Sequence, residues 1–96
     1  MSAPTLEYDH ELKVHAPYFA AISDGRKPFE ARKDDRGFQT GEVLWLREYK
    51  HDVAPDFRYS GNAEFARITY ILRGGQFGVE VGHVIMGIEI IKDEAE

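Results

Sequence analysis

The chain has 96 residues, of which 43% are hydrophobic and 30% charged, so it encodes one domain (residues 1–96) with a real core. It has no cysteine, which excludes disulfide scaffolds, thiolate metal sites and cysteine nucleophiles. No apolar stretch approaches the roughly 20 residues that cross a bilayer, and residues 1–12 lack the basic and apolar segments of a signal peptide. We therefore expect a cytoplasmic protein with no membrane partner.

The net charge of −5 comes from the two ends of the chain, including an acidic tail at 92–96. Residues 12–92 hold all 12 Lys and Arg but only 11 of the 17 acidic residues. The other six acids flank this stretch: Glu7, Asp9, Glu11, Asp93, Glu94 and Glu96. Five basic residues cluster within one short segment: Arg26, Lys27, Arg32, Lys33 and Arg36. Such a cluster attracts phosphates, or it is a solvated face diluted by Asp34 and Asp35.

The first third of the chain predicts a strand followed by a helix. Residues 1–7 are expected to form a loose leader. Apolar and polar residues then alternate over 10–14, which predicts a short strand. A helix is predicted over 16–24, because Pro17 suits its first turn and Gly25 suits the position just after its end.

The rest of the chain predicts strands and turns. We expect strands over 29–33, 43–49, 64–72 and 83–91, with a polar loop over 50–62. The total is five to six mostly antiparallel strands with one short α-helix after the first strand. One helix cannot cover both faces of a parallel sheet, so the fold class is α+β, with a small barrel or a highly curved sheet.

The junction between the helix and the second strand brings together a lysine, a carboxylate and a guanidinium. Glu30 and Arg32 are two apart on a strand and must share a face, while Phe29 and Ala31 are expected to face the core. Glu30 would fix Lys27 and Arg32 in place and leave their other donors for a ligand anion. Alternatively, the three residues form an ion-pair cluster that only pins the helix to the sheet.

The pattern G-x-K-x-x-E-x-R resembles the signature of the ASCH domain, a member of the PUA-like superfamily of small β-barrels. Its four positions are here Gly25, Lys27, Glu30 and Arg32. Further segments resemble a compact bacterial and phage branch of unsettled function, over residues 10–13, 17–19, 34–36, 68–72 and 74–78. The resemblance implies a PUA-like barrel and an RNA-binding module, with the signature residues lining a cleft beside the helix.

The resemblance also leaves an enzymatic alternative. Some ASCH relatives are ribonucleases, and others are amidases for acylated cytidine in which a lysine at the position of Lys27 works with a threonine three residues on. That position is Glu30 here, and a nearby carboxylate keeps a lysine charged, which favours binding over catalysis. As a hydrolase of RNA or a modified nucleoside, the protein would use Lys27 and Glu30. A third alternative is a protein-interaction unit in which the cluster is structural.

Four further residues belong to the segments that carry the resemblance. Lys13 and Arg36 extend the anion-binding surface, or they are plain solvated charges. Gln76 reads a base edge, or it caps its own turn. His10 faces the cleft as a hydrogen-bond donor or proton-transfer group, or it is structural. The four histidines show no metal spacing, so we expect no metal and no cofactor. RNA or a nucleotide is the expected partner of a monomer or weak homodimer.

An arginine between two aromatic residues, Phe57-Arg58-Tyr59, lies in the predicted polar loop. Unstacked bases can pile onto such rings, or the rings pack onto the protein's own surface. The glycine-rich segment 74–82 lacks the Lys-Ser/Thr of a P-loop and opens no helix, which argues against nucleotide binding of that kind.

Overall fold

The computed structural model describes residues 6–92 and shows a five-stranded sheet curled into a half-barrel, with one short α-helix in that range. The elements in chain order are β1 (His10–His15), α1 (Ala16–Ser23), β2 (Phe29–Lys33), β3 (Val43–Tyr49), a 3-10 helix (Pro55–Phe57), β4 (Tyr59–Arg73) and β5 (His83–Ile90). The predicted α+β class is confirmed. Most of the predicted leader (1–7) and of the predicted acidic tail (92–96) lies outside the described residues.

The strand order β1-β3-β4-β5-β2 leaves β1 and β2 at the two edges of the sheet. The β1–β3 pair is parallel and the other three pairs are antiparallel, so the prediction of mostly antiparallel strands is confirmed. The sheet curls until its two edges approach each other. Arg32 Nη2 on β2 donates to the Lys13 carbonyl on β1 at 3.0 Å, which shows how close the edges lie. We call this gap between β1 and β2 the seam.

The prediction of a polar loop over 50–62 is wrong for its last four residues, because β4 already begins at Tyr59. The turn-forming residues Ser60 and Asn62 lie within this strand. Both donate to the same Glu48 carboxylate oxygen on β3, at 2.6 and 3.1 Å. These cross-strand hydrogen bonds satisfy the polar side chains within the sheet, where a sequence pattern alone indicates a turn.

One apolar core lies between the concave face of the sheet and α1, which contributes Phe19 and Ile22. Burial of each large apolar side chain stabilises the fold by about 1.5–3 kcal/mol. Twelve buried residues form this core: Leu12, Val14, Phe19, Ile22, Phe38, Leu44, Leu46, Ala66, Ile68, Val84, Met86 and Ile88. Within residues 6–92, no helix has both the length and the apolar character needed to cross a membrane.

The loop between β2 and β3 is held by Asp34, which positions the fully buried Phe38. Asp34 Oδ1 accepts from the backbone N–H groups of Gly37 and Phe38, at 2.9 and 3.1 Å. Its Oδ2 accepts from Arg73 Nη1 at 3.1 Å. The N–H of Phe38 is the largest influence that holds the pKa of Asp34 below its ordinary value, and Arg73 acts in the same direction.

Replacing Asp34 by alanine should lower the free energy of unfolding at neutral pH by about 1–3 kcal/mol, because charge-assisted hydrogen bonds to the loop are lost. The folded-state pKa of Asp34 is lowered, so its contribution is complete above the ordinary value of 3.8 and disappears as pH falls through the folded value. Urea denaturation at about pH 7 and about pH 3 measures both effects.

The control is Asp52→Ala, at an exposed loop position, which should change stability by less than about 0.5 kcal/mol. An Asp34→Ala deficit that persists unchanged at about pH 3 would contradict the assignment to the ionised carboxylate.

Candidate functional site

The end of α1 fixes the position of Lys27. Gly25 adopts a φ of 89°, the left-handed conformation that commonly terminates helices. Its N–H donates to the Ile22 carbonyl at 3.1 Å, and the Lys27 N–H donates to the Ala21 carbonyl at 3.0 Å. The backbone of Lys27 is therefore tied to the last turn of the helix, just before β2 begins.

On β2, the polar residues and not the apolar ones point into the half-barrel. Glu30 is only 5% exposed and pairs with the buried Met86 of β5, so the predicted shared face of Glu30 and Arg32 is confirmed. The prediction that Phe29 and Ala31 face the core is wrong, since both are exposed and Phe29 retains 40% of its surface. Glu30 can take the inward position because Lys27 and Arg32 supply charges that offset the burial of its carboxylate.

Lys27, Glu30 and Arg32 form what we call the charged triad. Lys27 Nζ lies 3.3 Å from Glu30 Oε1, and Arg32 Nε lies 3.3 Å from Glu30 Oε2, so each carboxylate oxygen serves one cation. The side chains of Lys27 and Arg32 remain 19% and 28% exposed. A buried carboxylate thus holds two partly open cations, which offsets the cost of removing its charge from water.

Both cations keep donors that point to no described acceptor. Lys27 Nζ also donates to the Phe29 carbonyl at 3.0 Å, which uses a second of its three hydrogens. Arg32 donates through Nη2 to the Lys13 carbonyl and places Nε in the ion pair with Glu30, and Nη1 has no acceptor among residues 6–92. The rings of Phe29 and Tyr18 lie 4.7 and 5.5 Å from Lys27 Nζ, within the range of cation–π contacts.

The charged triad lines a cavity of about 590 Å³ beside α1, which we call the Lys27 pocket. Its size lies within the range of small-ligand sites. The other polar and aromatic side chains in its wall are Lys13, His15, Tyr18 and His51. The His15 ring lies 5.5 Å from Tyr18 and 5.1 Å from His51. Cations and ring systems therefore line the same space, which suits a ligand with both an anionic group and a flat ring.

A second cavity, of about 420 Å³, has the opposite character. It lies between α1 and the β3–β4 strands, and its wall includes Asp24, Glu48 and Glu64. The Arg26 side chain that hydrogen-bonds to Asp24 is the largest influence lowering the pKa of that carboxyl, so it carries a negative charge at neutral pH. An acidic wall repels phosphates, so the Lys27 pocket is the candidate functional site.

Two of the four site residues predicted in addition to the charged triad lie along the seam. Lys13 lines the Lys27 pocket, and its Nζ sits 4.7 Å from the centre of the Tyr49 ring. Arg36 lies farther along, where its Nη1 donates to the Glu11 carbonyl at 2.7 Å. The structure thus places Lys13 with the charged triad and Arg36 next to it.

The other two of these four predicted residues, His10 and Gln76, lie away from the Lys27 pocket. His10 Nε2 is 2.8 Å from Glu42 Oε1, and the His10 ring packs edge-on against Phe38. Gln76 Nε2 donates to the Arg73 carbonyl at 2.9 Å within the β4–β5 turn. These contacts favour the structural alternative for each residue: His10 is a partly buried structural histidine, and Gln76 caps its own turn.

Sequence reasoning did not select the aromatic part of the pocket. His15 has the same strand parity as Lys13, and this alternation was a usable signal. Tyr18 reaches the pocket from the first turn of α1, and His51 reaches it from a loop by packing against Tyr49 at 4.9 Å. Among residues 6–92, no three His, Asp or Glu side chains are grouped so that they could hold a metal ion.

Comparison with known proteins places most of the chain in one family. Residues 9–88 match the model of a domain of unknown function, DUF3850. A stretch of 60 residues is 40% identical to an uncharacterized 12.9 kDa protein in the GpA 3′ region of Escherichia phage P2. That stretch covers 62% of this chain and 50% of the phage protein, so the chain spans about half the length of this relative.

Replacing Glu30 by glutamine should lower the free energy of unfolding by about 1–3 kcal/mol. The substitution keeps the shape of the side chain but leaves Lys27 and Arg32 without their counter-charge. The cost stays below the roughly 3–5 kcal/mol of a fully buried pair, because both cations are partly exposed and can rehydrate. Urea denaturation measures the loss.

Glu89→Gln is the matched control, since Glu89 is an exposed carboxylate on β5. It should change the free energy of unfolding by less than about 0.5 kcal/mol. Equal stabilities of the two variants would contradict the role given to the Glu30 carboxylate.

Proposed function

The chain belongs to the DUF3850 family, and from the geometry of the Lys27 pocket we propose that it is an RNA- or nucleotide-binding module. The ligand lies in the Lys27 pocket. Its phosphate contacts Lys27 and Arg32, and Lys13 adds a third positive charge at the wall. The rings of Tyr18, His15 and His51 offer surfaces for a base.

The observation that carries this proposal is the placement of Glu30. A buried ion pair contributes little net stability, because desolvation offsets most of the attraction between the charges. Glu30 nevertheless lies buried at the wall of an open pocket and holds two cations whose remaining donors have no described acceptor. A carboxylate that orients cations for an incoming anion accounts for this arrangement better than a structural ion pair does.

The same geometry supports the proposal that the fold is PUA-like and that the family is related to ASCH domains. Gly25 ends the helix, and the charged triad gathers beside it at one cavity, as the resemblance implies. The curled five-stranded sheet is compatible with a barrel that stays open at the seam.

The hydrolase alternative receives less support from the contacts of Lys27. A lysine that acts as nucleophile or base needs a free amine lone pair. The Lys27 amine instead donates to Glu30 and to the Phe29 carbonyl and lies against two aromatic rings. Glu30 also stands where the amidase relatives have a threonine. We therefore propose that Lys27 binds and that the wild-type protein shows little or no turnover.

Single-stranded RNA should bind weakly, with an affinity that falls as salt rises. About three phosphate contacts predict a log–log salt slope near −2, at roughly −0.7 for each contact on a single strand. Lys27→Ala should reduce both the affinity and this slope, whereas Lys27→Arg should keep the affinity within about tenfold because the charge remains. Fluorescence titrations at several salt concentrations measure the affinity and the slope.

Lys92→Ala removes the same charge at an exposed position after β5 and should leave the slope nearly unchanged. Absence of binding at low salt, for RNA and mononucleotides alike, would refute the proposal. Robust wild-type turnover of RNA or acylated cytidine that disappears in Lys27→Arg, with affinity intact, would establish the hydrolase instead.

A further inference from the structure

The Lys27 pocket does not end at the charged triad. A cavity of about 320 Å³ shares the lining residues Lys13 and Arg32 with the Lys27 pocket. Another cavity, of about 240 Å³, shares Arg32 and Arg36 with the 320 Å³ cavity. The three cavities adjoin each other along the gap between β1 and β2. We call them together the seam groove.

The lining of the seam groove is cationic, with five basic side chains against three acidic ones. The basic side chains are Lys13, Lys27, Arg32, Lys33 and Arg36. Of the acids, Glu30 is buried and neutralised within the charged triad, and Glu11 pairs with Arg47 at 2.7 Å. The remaining acid, Asp35, is exposed at the far end, where its Oδ1 lies 3.8 Å from Arg36 Nε. The field along the groove therefore attracts anions over a length greater than one phosphate.

Two guanidinium groups in the seam groove are anchored to alternate residues of β1. Arg36 donates to the carbonyl of Glu11, and Arg32 donates to the carbonyl of Lys13, at 2.7 and 3.0 Å. These carbonyls belong to alternate residues of one strand and lie about 6.6 Å apart along it. That separation is comparable to the distance between neighbouring phosphates of an extended nucleic acid strand.

A row of aromatic rings runs beside the seam groove. Tyr18, His15, His51, Tyr49 and Tyr59 follow one another with ring centres 5.5, 5.1, 4.9 and 5.0 Å apart. The first three rings line the Lys27 pocket, and Tyr59 lines the cavity of about 320 Å³. The row thus accompanies the cations from the Lys27 pocket to the cavity of about 320 Å³. Neighbouring rings meet edge-on or tilted, and the Arg47 guanidinium lies 3.9 Å from the Tyr59 ring centre, so bases would contact individual rings and not one continuous stack.

We infer that the seam groove binds a single-stranded RNA segment of several nucleotides, and not a free mononucleotide. Successive phosphates contact Lys27, Arg32 and Arg36, and the bases lie against the aromatic row. The inference rests on the proposed function and adds the length and form of the ligand to it.

Titrations at low salt with uridine monophosphate and with oligouridylates of two, four and eight nucleotides test the inference. Affinity should rise about tenfold or more between the monophosphate and the four-nucleotide strand, and then gain little. Arg36→Gln and Tyr59→Leu should each weaken the four-nucleotide strand by about threefold to tenfold and leave the monophosphate within about twofold. Thermal melts of both variants confirm that they are folded.

Two matched controls lie outside the seam groove. Arg67→Gln removes an exposed guanidinium that also donates to a backbone carbonyl, that of Gly41 at 2.9 Å. Tyr70→Leu removes a tyrosine that is 68% exposed on β4. Both controls should bind the four-nucleotide strand as the wild type does.

The outcomes separate this inference from the proposed function. Equal affinity for all probe lengths, with dependence on Lys27 retained, overturns the inference and leaves the pocket as a mononucleotide site. The inference is also overturned if Arg36→Gln and Arg67→Gln lose the same affinity for the four-nucleotide strand. It is overturned likewise if an RNA duplex of the same length binds as tightly as the single strand. No binding of any probe overturns the proposed function, and this inference fails with it.

Discussion

The buried carboxylate of Glu30 is the constraint on which the site depends. Its charge is tolerated inside the half-barrel because one cation arrives from the end of α1 and another from its own strand. Arg32 carries the connection onward to the backbone of β1. One acid thereby joins the helix, β2 and the opposite edge of the sheet, so the contacts that stabilise the seam also fix the two cations that line the Lys27 pocket.

The open sheet also has to manage its two free edges. Unpaired strand edges invite pairing with other chains, and natural proteins cover or charge them. On β1, the carbonyls of Glu11 and Lys13 accept from the guanidinium groups of Arg36 and Arg32. These arginines occupy the positions that a neighbouring strand would take, and they do so with side chains that remain charged. Edge protection and anion attraction are therefore two consequences of the same residues.

Local patterns in the sequence were sufficient for the class, for most of the strands and for the gathering of Lys27, Glu30 and Arg32. Strand parity correctly put Glu30 and Arg32 on one face but could not say which face lies inside, because the burial of an acid depends on partners from other elements. The prediction of a loop at Ser60 and Asn62 was wrong for a similar reason, since their acceptor, Glu48, belongs to a neighbouring strand. The aromatic row likewise exists only once distant segments meet.

The pairing of β2 has a consequence for how the chain folds. β2 hydrogen-bonds only to β5 within the sheet, and Phe29 faces Gly87 near the other end of the chain. Closing so long a loop is entropically costly, and it is rewarded only after the β4–β5 hairpin offers an edge. The hairpin can form from neighbouring residues, whereas β2 must wait for it. The seam is therefore expected to assemble late in folding, and the seam groove would exist only in the fully assembled domain.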